Sequence, residues 1–272
     1  MSMNLTCVMN IYHGDNPKYF REAFESIINQ TYKADKILLV VDGPLSKDLD
    51  LTISKYSHIE SLEIHRLKKN LGLNGARKYA LEQCDTELVA LMDSDDICAL
   101  NRFEKQIDIF KSANIDYVGG QIEEFYENSK IKYKRIVPEK HDDIIRFAKY
   151  RAPINNVTSM FKKEAYLRSG GYRLERGYED YKLFFRFLNS GAKFHNIKDI
   201  LVYVRSNEDR ISRHKGFDHF KTESKFFWNL YKNGSINIME FFINLLLRLP
   251  ARFLPNLMVR QIYKIINSNF FK

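Results

Sequence analysis

The run Glu87 to Asp96, ELVALMDSDD, sets three carboxylates at the end of a wholly apolar segment. Leu88 to Met92 is short, apolar and bounded by polar residues, as expected for a strand buried on both faces of a parallel sheet. Asp93, Ser94, Asp95 and Asp96 then lie just past its carboxyl end, where open α/β sheets bind ligands. Clustered carboxylates repel one another. A hard divalent cation, Mg²⁺ or Mn²⁺, relieves that repulsion and bridges to a diphosphate, so the run reads as a metal and phosphate site. The alternative is an Asx-type turn capping a helix that begins near Ala99.

Outward from this run, strand and helix signals alternate. Leu5 to Tyr12 is apolar and β-prone, and Pro17 to Gln30 carries Phe20, Ala23, Phe24, Ile27 and Ile28 at helical spacing, with Pro17 suited to a first turn. Lys36 to Val41 is a strand stopped by the turn Asp42-Gly43-Pro44; Leu49 to Tyr56 is a modest helix and Ser61 to His65 a short strand. Gly72 to Gln83 is helical, Leu100 to Ala113 is an amphipathic helix, and Tyr117 to Gly120 is a strand. Such successive strand–helix pairs predict an α/β fold with a mainly parallel sheet flanked by helices. Beyond Gln121 the pieces lengthen: a strand at Ile122 to Tyr126, a helix at Asp142 to Tyr150 and a strand about Val157 to Phe161. A helix at Glu179 to Asn189 follows, then strands at Lys193 to Ile197 and Ile200 to Val204. The expected division is a first domain over 1–204, with halves 1–120 and 121–204, and a helical appendage over 205–272.

With 272 residues and 44% hydrophobic content the chain can bury a proper core. Cys7, Cys84 and Cys98 show no CxxC spacing, so neither a disulfide framework nor a zinc site is indicated and a reducing cytoplasm fits. The start, MSMNLTCVMNIYHG, reads as a first strand rather than an export signal. From Arg205 onward twelve Lys or Arg face five Asp or Glu, so +7 of the net +9 lies there. After Glu240 no acid occurs, and FFINLLLRLPARFLPNLMVRQIYKIINSNFF interleaves large apolar groups with Arg248, Arg252, Arg260 and Lys264. That mixture favours a lipid surface over nucleic acid. Ile238 to Leu249 is too short for a spanning helix, which needs about 20 apolar residues; it reads as lying on a membrane, with packing against the rest of the chain as the alternative.

Three further constellations bear on chemistry. NLGLNGARKYALEQC joins Asn70, Gly72, Asn74 and Gly75 to a helix with Arg77 one turn in, a setting for phosphate groups, although a Gly-containing loop before a helix is common. Asp42 ends a strand in LLVVDGP, where its carboxylate can accept from a base or ribose or simply form a turn. In GGYRLERGYEDYKLFFRF, Glu179 and Asp180 open a helix after a Gly-rich, aromatic loop. They either satisfy the helix dipole or present a general base.

Taken in order, VMNIYHGDNPKYFREAFESIINQTY, LLVVDGP, NLGLNGARKYAL, MDSDD and GYEDYKLFFRF resemble the inverting nucleotide-sugar glycosyltransferases of family 2, across roughly Leu5 to Asn207. The resemblance implies a Rossmann-like GT-A fold whose first half binds nucleotide and whose second half carries acceptor and base. It implies that the backbone around Asn10 to Tyr12 and the Asp42 carboxylate hold a uracil-type base, that Arg77 lies near the diphosphate, that Asp93 meets the ribose and that Asp95 and Asp96 meet the metal. Asp180, beside Glu179, would deprotonate the acceptor hydroxyl. RSNEDRISRHKG adds Arg210, Arg213 and His214, with His214 a candidate metal ligand or an ordinary exposed histidine. The DxDD form is similar to bacterial transferases that extend O-antigen repeats from UDP-galactose or UDP-glucose onto an N-acetylhexosamine on a polyprenyl diphosphate. The expected cofactor is Mn²⁺ or Mg²⁺ with a UDP-sugar donor. The expected acceptor is a polyprenyl-diphosphate-linked saccharide, met at the cytoplasmic face of the cell membrane by a peripheral protein that binds no nucleic acid. Two other classes remain on the residues alone. A nucleotidyltransferase would release pyrophosphate but needs a Gly-rich, basic triphosphate loop not evident near the amino terminus. A nucleic-acid-binding module would use the basic tail, against which the DSDD site and the Leu and Phe content argue.

Overall fold

A computed structural model describes residues 3–127, 132–175, 177–206 and 217–253, with 249–253 by backbone alone. The chain divides into two compact units, Met1–Arg205 and Ser206–Lys272. The first is built on strands β1 (Leu5–Ile11), β2 (Lys36–Val41), β3 (Leu62–Arg66), β4 (Leu88–Met92), β5 (Ile97–Cys98), β6 (Tyr117–Phe125), β7 (Lys132–Arg135), β8 (Met160–Lys162) and β9 (Phe194–Arg205). Between them run helices α1 (Pro17–Ile28), α2 (Lys47–Ser54), α3 (Leu73–Gln83), α4 (Arg102–Ser112), α5 (His141–Ala148), α6 (Lys163–Arg168) and α7 (Glu179–Asn189).

The strands form one sheet in the order β3-β2-β1-β4-β8-β6-β9-β5, with β7 paired to β6. β1, β2, β3 and β4 are parallel; the apolar residues of β1, β2 and β4 are buried because helices cover the sheet, and those of the edge strand β3 are half-buried. α1 starts where Asn16 Oδ1 accepts from the Lys18 N–H at 2.9 Å and Pro17 occupies the first turn; it turns Phe20, Ala23, Phe24 and Ile27 inward. α4 buries Phe103, Ile107 and Phe110 in the same core, where Phe103→Ala would cost about 3–5 kcal/mol. Within the same layer Gln106 Nε2 donates to the carbonyls of Val118 and Thr158 at 3.0 and 2.7 Å, so a polar side chain knits α4 to β6 without an orphaned donor.

The second half departs from a simple parallel repeat. β8 runs antiparallel to both β4 and β6, whereas β9 runs parallel to β6 with a register shift around Gly120, Gln121 and Ile122. Two expected strands, 117–120 and 122–126, are a single strand here, and those expected at 193–197 and 200–204 are likewise the single bulged β9. Gly119 and Gly120 do not break β6. They admit close neighbours, since a Cβ there would come within 2.4 Å of Asn196 Oδ1 and of Leu201 Cδ1 respectively. The expected strand at 157–161 is shorter, because Asn156–Thr158 form a 3₁₀ turn that leads into β8.

The second unit contains helices α8 (Phe217–Lys232) and α9 (Ile238–Phe253), packed on one another as a hairpin. Among the described residues no helix is long and apolar enough to cross a membrane.

Candidate active site

Parallel register fixes where the chemistry collects. Ile11 pairs with Val41, Val41 with Arg66 and Met9 with Met92, so β1, β2, β3 and β4 end at one rim. Tyr12, Asp42 and Asp93 follow those ends directly. The loop before α3 reaches the same rim because the Asp42 carboxylate accepts the Leu71 N–H at 2.6 Å, and the Asp42 carbonyl accepts from Asn70 at 3.2 Å. Asp42 is buried, so this expected base contact also holds the 70–72 loop in place.

Arg77 projects from α3 into the centre of the rim and is buried. Its Nη2 lies 2.5 Å from Asp93 Oδ1 and its Nη1 lies 3.4 Å from Asp180 Oδ1. Burial works against the guanidinium charge, but Asp93, Tyr172 and Asp180 outweigh it and keep the group protonated. The structure therefore brings together Arg77, Asp93 and Asp180, three residues from separate sequence motifs. Asp180 occupies the first turn of α7, beyond Gly177 and the left-handed Tyr178 (φ 60°). A non-glycine residue in that conformation costs of order 1 kcal/mol, a local strain that aims the helix start. Glu179 turns back instead, its Oε1 accepting the Gly177 N–H at 2.6 Å and closing that loop.

Tyr172 completes the arrangement. Its buried hydroxyl donates to Asp180 Oδ1 at 2.7 Å, while the Asp180 side chain keeps 44% of its surface open to solvent. Loss of water around the carboxylate raises the Asp180 pKa above the ordinary range, against the lowering effect of Arg77 and the Tyr172 hydroxyl. A carboxylate raised in this way is a better proton acceptor near neutral pH.

The acidic turn divides its labour. Asp95 is exposed, whereas Asp96 is buried and its Oδ1 accepts the Arg205 backbone N–H at 2.8 Å. Arg205, the last residue of β9, also donates from Nε to the Asp95 carbonyl at 3.1 Å. Its Nη atoms reach Glu127 at 2.8 Å and Glu22 at 2.5 Å, and its guanidinium stacks 4.0 Å from the Tyr19 ring centroid. Arg205 is thus a clamp on the DSDD turn, balanced in charge by two glutamates. Beneath the turn, fully buried Arg102 donates to the Leu91 carbonyl at 2.9 Å and the Ser159 carbonyl at 3.3 Å.

Asp15, Tyr172 and Arg205 were not legible as site residues. Asp15 caps its own turn by accepting the Tyr12 N–H at 2.9 Å, and it also faces Ser94, Asp93 and Asp95. Burial and the two neighbouring aspartates push its pKa up to about 6, although the Tyr12 N–H and the Ser94 hydroxyl pull it down. Its position in the short turn between the first strand and α1 was the available signal. Asn10, at the end of β1, has a buried Oδ1 without a hydrogen-bond partner, an acceptor suited to a ligand N–H. His214 lies outside the described residues.

The donor set on this rim suits a hard cation, because Asp15, Asp93 and Asp95 gather negative charge in one place. Among the described residues no three side chains of ligand type converge into a finished cage. An ion here would take one or two carboxylates and draw its remaining oxygens from substrate phosphates and water, the usual habit of Mg²⁺.

Comparison with known proteins places this geometry. Residues 6–187 match the family described as Glycosyl transferase family 2. The chain is 33% identical to the amylovoran biosynthesis glycosyltransferase AmsE of Erwinia amylovora, over 94% of this chain and 97% of that protein. It is 32% identical to the UDP-Gal:alpha-D-GlcNAc-diphosphoundecaprenol beta-1,3-galactosyltransferase of Escherichia coli, over 97% and 96%. In fold it resembles the mannosyltransferase PcManGT of Pyrobaculum calidifontis, solved with GDP-Man and Mn²⁺, with TM-score 0.64, 13% identity and coverage of 98% and 75%.

Proposed function

The chain belongs to glycosyl transferase family 2 and is a glycosyltransferase of GT-A fold, and from that premise we propose that it transfers a hexose from UDP-galactose or UDP-glucose, with inversion, to a lipid-diphosphate-linked sugar during assembly of a bacterial surface polysaccharide. The observation that carries the reading is the single guanidinium of Arg77 standing between Asp93, on the nucleotide side of the rim, and Asp180, at the head of α7. The galactosyltransferase relative, matched across nearly its whole length, supports the choice of donor and acceptor.

In this reading Asn10 and the Tyr12 backbone border the uracil-type base with Asp42, and Asp93 meets the ribose. Arg77 lies by the diphosphate, and Asp95, with Asp15 beside it, faces the metal. Mn²⁺ or Mg²⁺, when bound, supplies Lewis-acid stabilisation of charge on the leaving diphosphate. Asp180 removes the proton from the acceptor hydroxyl, whose oxygen attacks the anomeric carbon as the bond to the diphosphate breaks; the proton ends on the carboxylate. Tyr172 and Arg77 both engage Oδ1 and so fix the carboxylate plane, leaving Oδ2 to take the proton. Asp96 supports the turn through Arg205. A lipid-linked acceptor places the enzyme peripherally on the cytoplasmic membrane face.

The test is a panel of UDP-sugars with Mn²⁺, read first as thermal stabilisation and then as transfer to a GlcNAc-diphosphate-lipid. Stabilisation and transfer with UDP-galactose or UDP-glucose support the reading. Transfer from neither donor rejects it.

A further inference from the structure

The hairpin of the second unit buries Phe226, Phe227, Leu230, Ile236 and Phe241 but leaves further large apolar side chains uncovered. A polar cluster lies inside it as well: Arg248 Nε pairs with buried Glu223 at 2.9 Å, and Arg248 Nη1 donates at 2.7 Å to the Oδ1 of buried Asn244. Its outer face is apolar. Met239, Phe242 and Leu246, one stripe along α9, are 69%, 56% and 70% exposed, and Ile238 and Leu247 beside them are exposed as well. Glu240 does not interrupt this stripe, because it forms a reciprocal cap with Asn237, each accepting the other's backbone N–H at 2.8 Å.

α8 supplies the complementary chemistry. Lys221, Lys225, Trp228 and Lys232 recur at helical spacing and are all exposed, with Asp218 the acid at the head of the same helix. Lys232 Nζ stands 5.7 Å from the Trp228 ring. Trp228 joins the two faces, its ring 5.5 Å from Phe241, which is in turn 5.5 Å from Phe242. Exposed apolar side chains next to lysines, with a tryptophan at the boundary, match the cross-section of an anionic bilayer interface, where apolar groups reach the acyl chains and ammonium groups meet lipid phosphates. After Glu240 the sequence holds no acid and adds further arginines and lysines. The charge complementarity thus favours a lipid surface over a second, equally basic copy of the chain.

We propose that the outer face of the α8–α9 hairpin is the membrane-docking surface, with Met239, Phe242 and Leu246 inserted and Lys221, Lys225 and Lys232 at the headgroups. The Glu223–Arg248–Asn244 cluster keeps the polar side of α9 turned away from lipid. This inference rests on the lipid-linked acceptor reading for its biological sense, but its physical test does not depend on the donor or on catalysis.

The full-length protein is floated with vesicles of phosphatidylethanolamine and phosphatidylglycerol, and separately with phosphatidylcholine vesicles. The wild type should partition to the anionic vesicles. Phe242→Gln with Leu246→Gln should weaken partitioning by about tenfold or more, from the apolar area withdrawn. Lys221→Glu with Lys225→Glu should abolish the preference for anionic lipid. Both variants should keep the wild-type melting temperature and transfer to a short-chain, water-soluble acceptor. Partitioning of the glutamine variant equal to wild type, or failure of the wild type to float, overturns the proposal. So does a wild-type dimer that the same substitutions dissociate, since the face is then an interface between copies. Loss of soluble-acceptor transfer by wild type would count against the glycosyl-transfer reading instead and leave the flotation result standing.

Discussion

Arg77 Nη1 and Asp180 Oδ1 stand 3.4 Å apart across 103 residues of sequence, while the other arm of the same guanidinium holds Asp93. A lysine at this position offers one nitrogen instead of two held in a rigid plane, so it cannot keep both carboxylates in the same geometry. Arg77→Lys should therefore destabilise the protein by about 1–3 kcal/mol, less than a fully buried pair because both carboxylates keep solvent contact. It should also slow transfer at least about tenfold by releasing both acids. Urea unfolding and initial rates measure the two effects; an unchanged midpoint and rate would show that the fork is dispensable.

The Tyr172 hydroxyl pulls the Asp180 pKa down, so Tyr172→Phe should raise it further. Transfer requires the ionised carboxylate. The acid limb of the pH–rate profile should then move to higher pH, since one hydrogen bond to the charged form is lost, and activity should recover as pH rises. Superimposable acid limbs for variant and wild type would separate Tyr172 from the base.

Asp15 gives a stability prediction with a defined sign. Its folded pKa is about 6 against an ordinary 3.8, so the fold disfavours the ionised form. Below the ordinary value both states hold the proton and the penalty is absent. It grows as pH rises between the two values and is complete above the folded one. Asp15→Asn should stabilise the metal-free protein by about 1–2 kcal/mol near pH 8 and by nothing near pH 3.5, with discount for partial solvation. A pH-independent gain in melting temperature would refute this cause.

The fold was legible where local chemistry decides it and obscure where distant pairing does. Lys36–Val41 and Glu179–Asn189 could be read to the residue, because an apolar run stopped by Asp-Gly-Pro and an acidic first turn after glycine are local signals. β5 is two residues long and exists because Cys98 and Ile97 pair with β9, about a hundred residues later, which no local pattern announces. Site residues followed the same division. Arg77, Asp93 and Asp180 stood out through their motifs. Tyr172 took its role only when the loop before α7 folded back onto Asp180, and Arg205 only when β9 was brought against the DSDD turn.

Arg205 should act on the turn rather than on substrate. Arg205→Met keeps much of the stacking on Tyr19 but loses the Nε donor to the Asp95 carbonyl and one cationic partner of Glu22 and Glu127. Metal-dependent UDP affinity should fall by about tenfold or more, as for other supports one step removed from a ligand. Titration calorimetry with and without Mn²⁺ separates this from general unfolding. Equal loss under both conditions would mean the clamp does not serve a metal.

The most direct measurement sets Asp180→Asn beside Asp95→Ala, recording single-turnover transfer and Mn²⁺-dependent UDP affinity for each. Asp180→Asn should lose transfer by about a thousandfold, the scale of general-base catalysis, and keep its UDP affinity within about twofold, whereas Asp95→Ala should lose both. Transfer by Asp180→Asn at the wild-type rate would contradict Asp180 as the group that takes the acceptor proton.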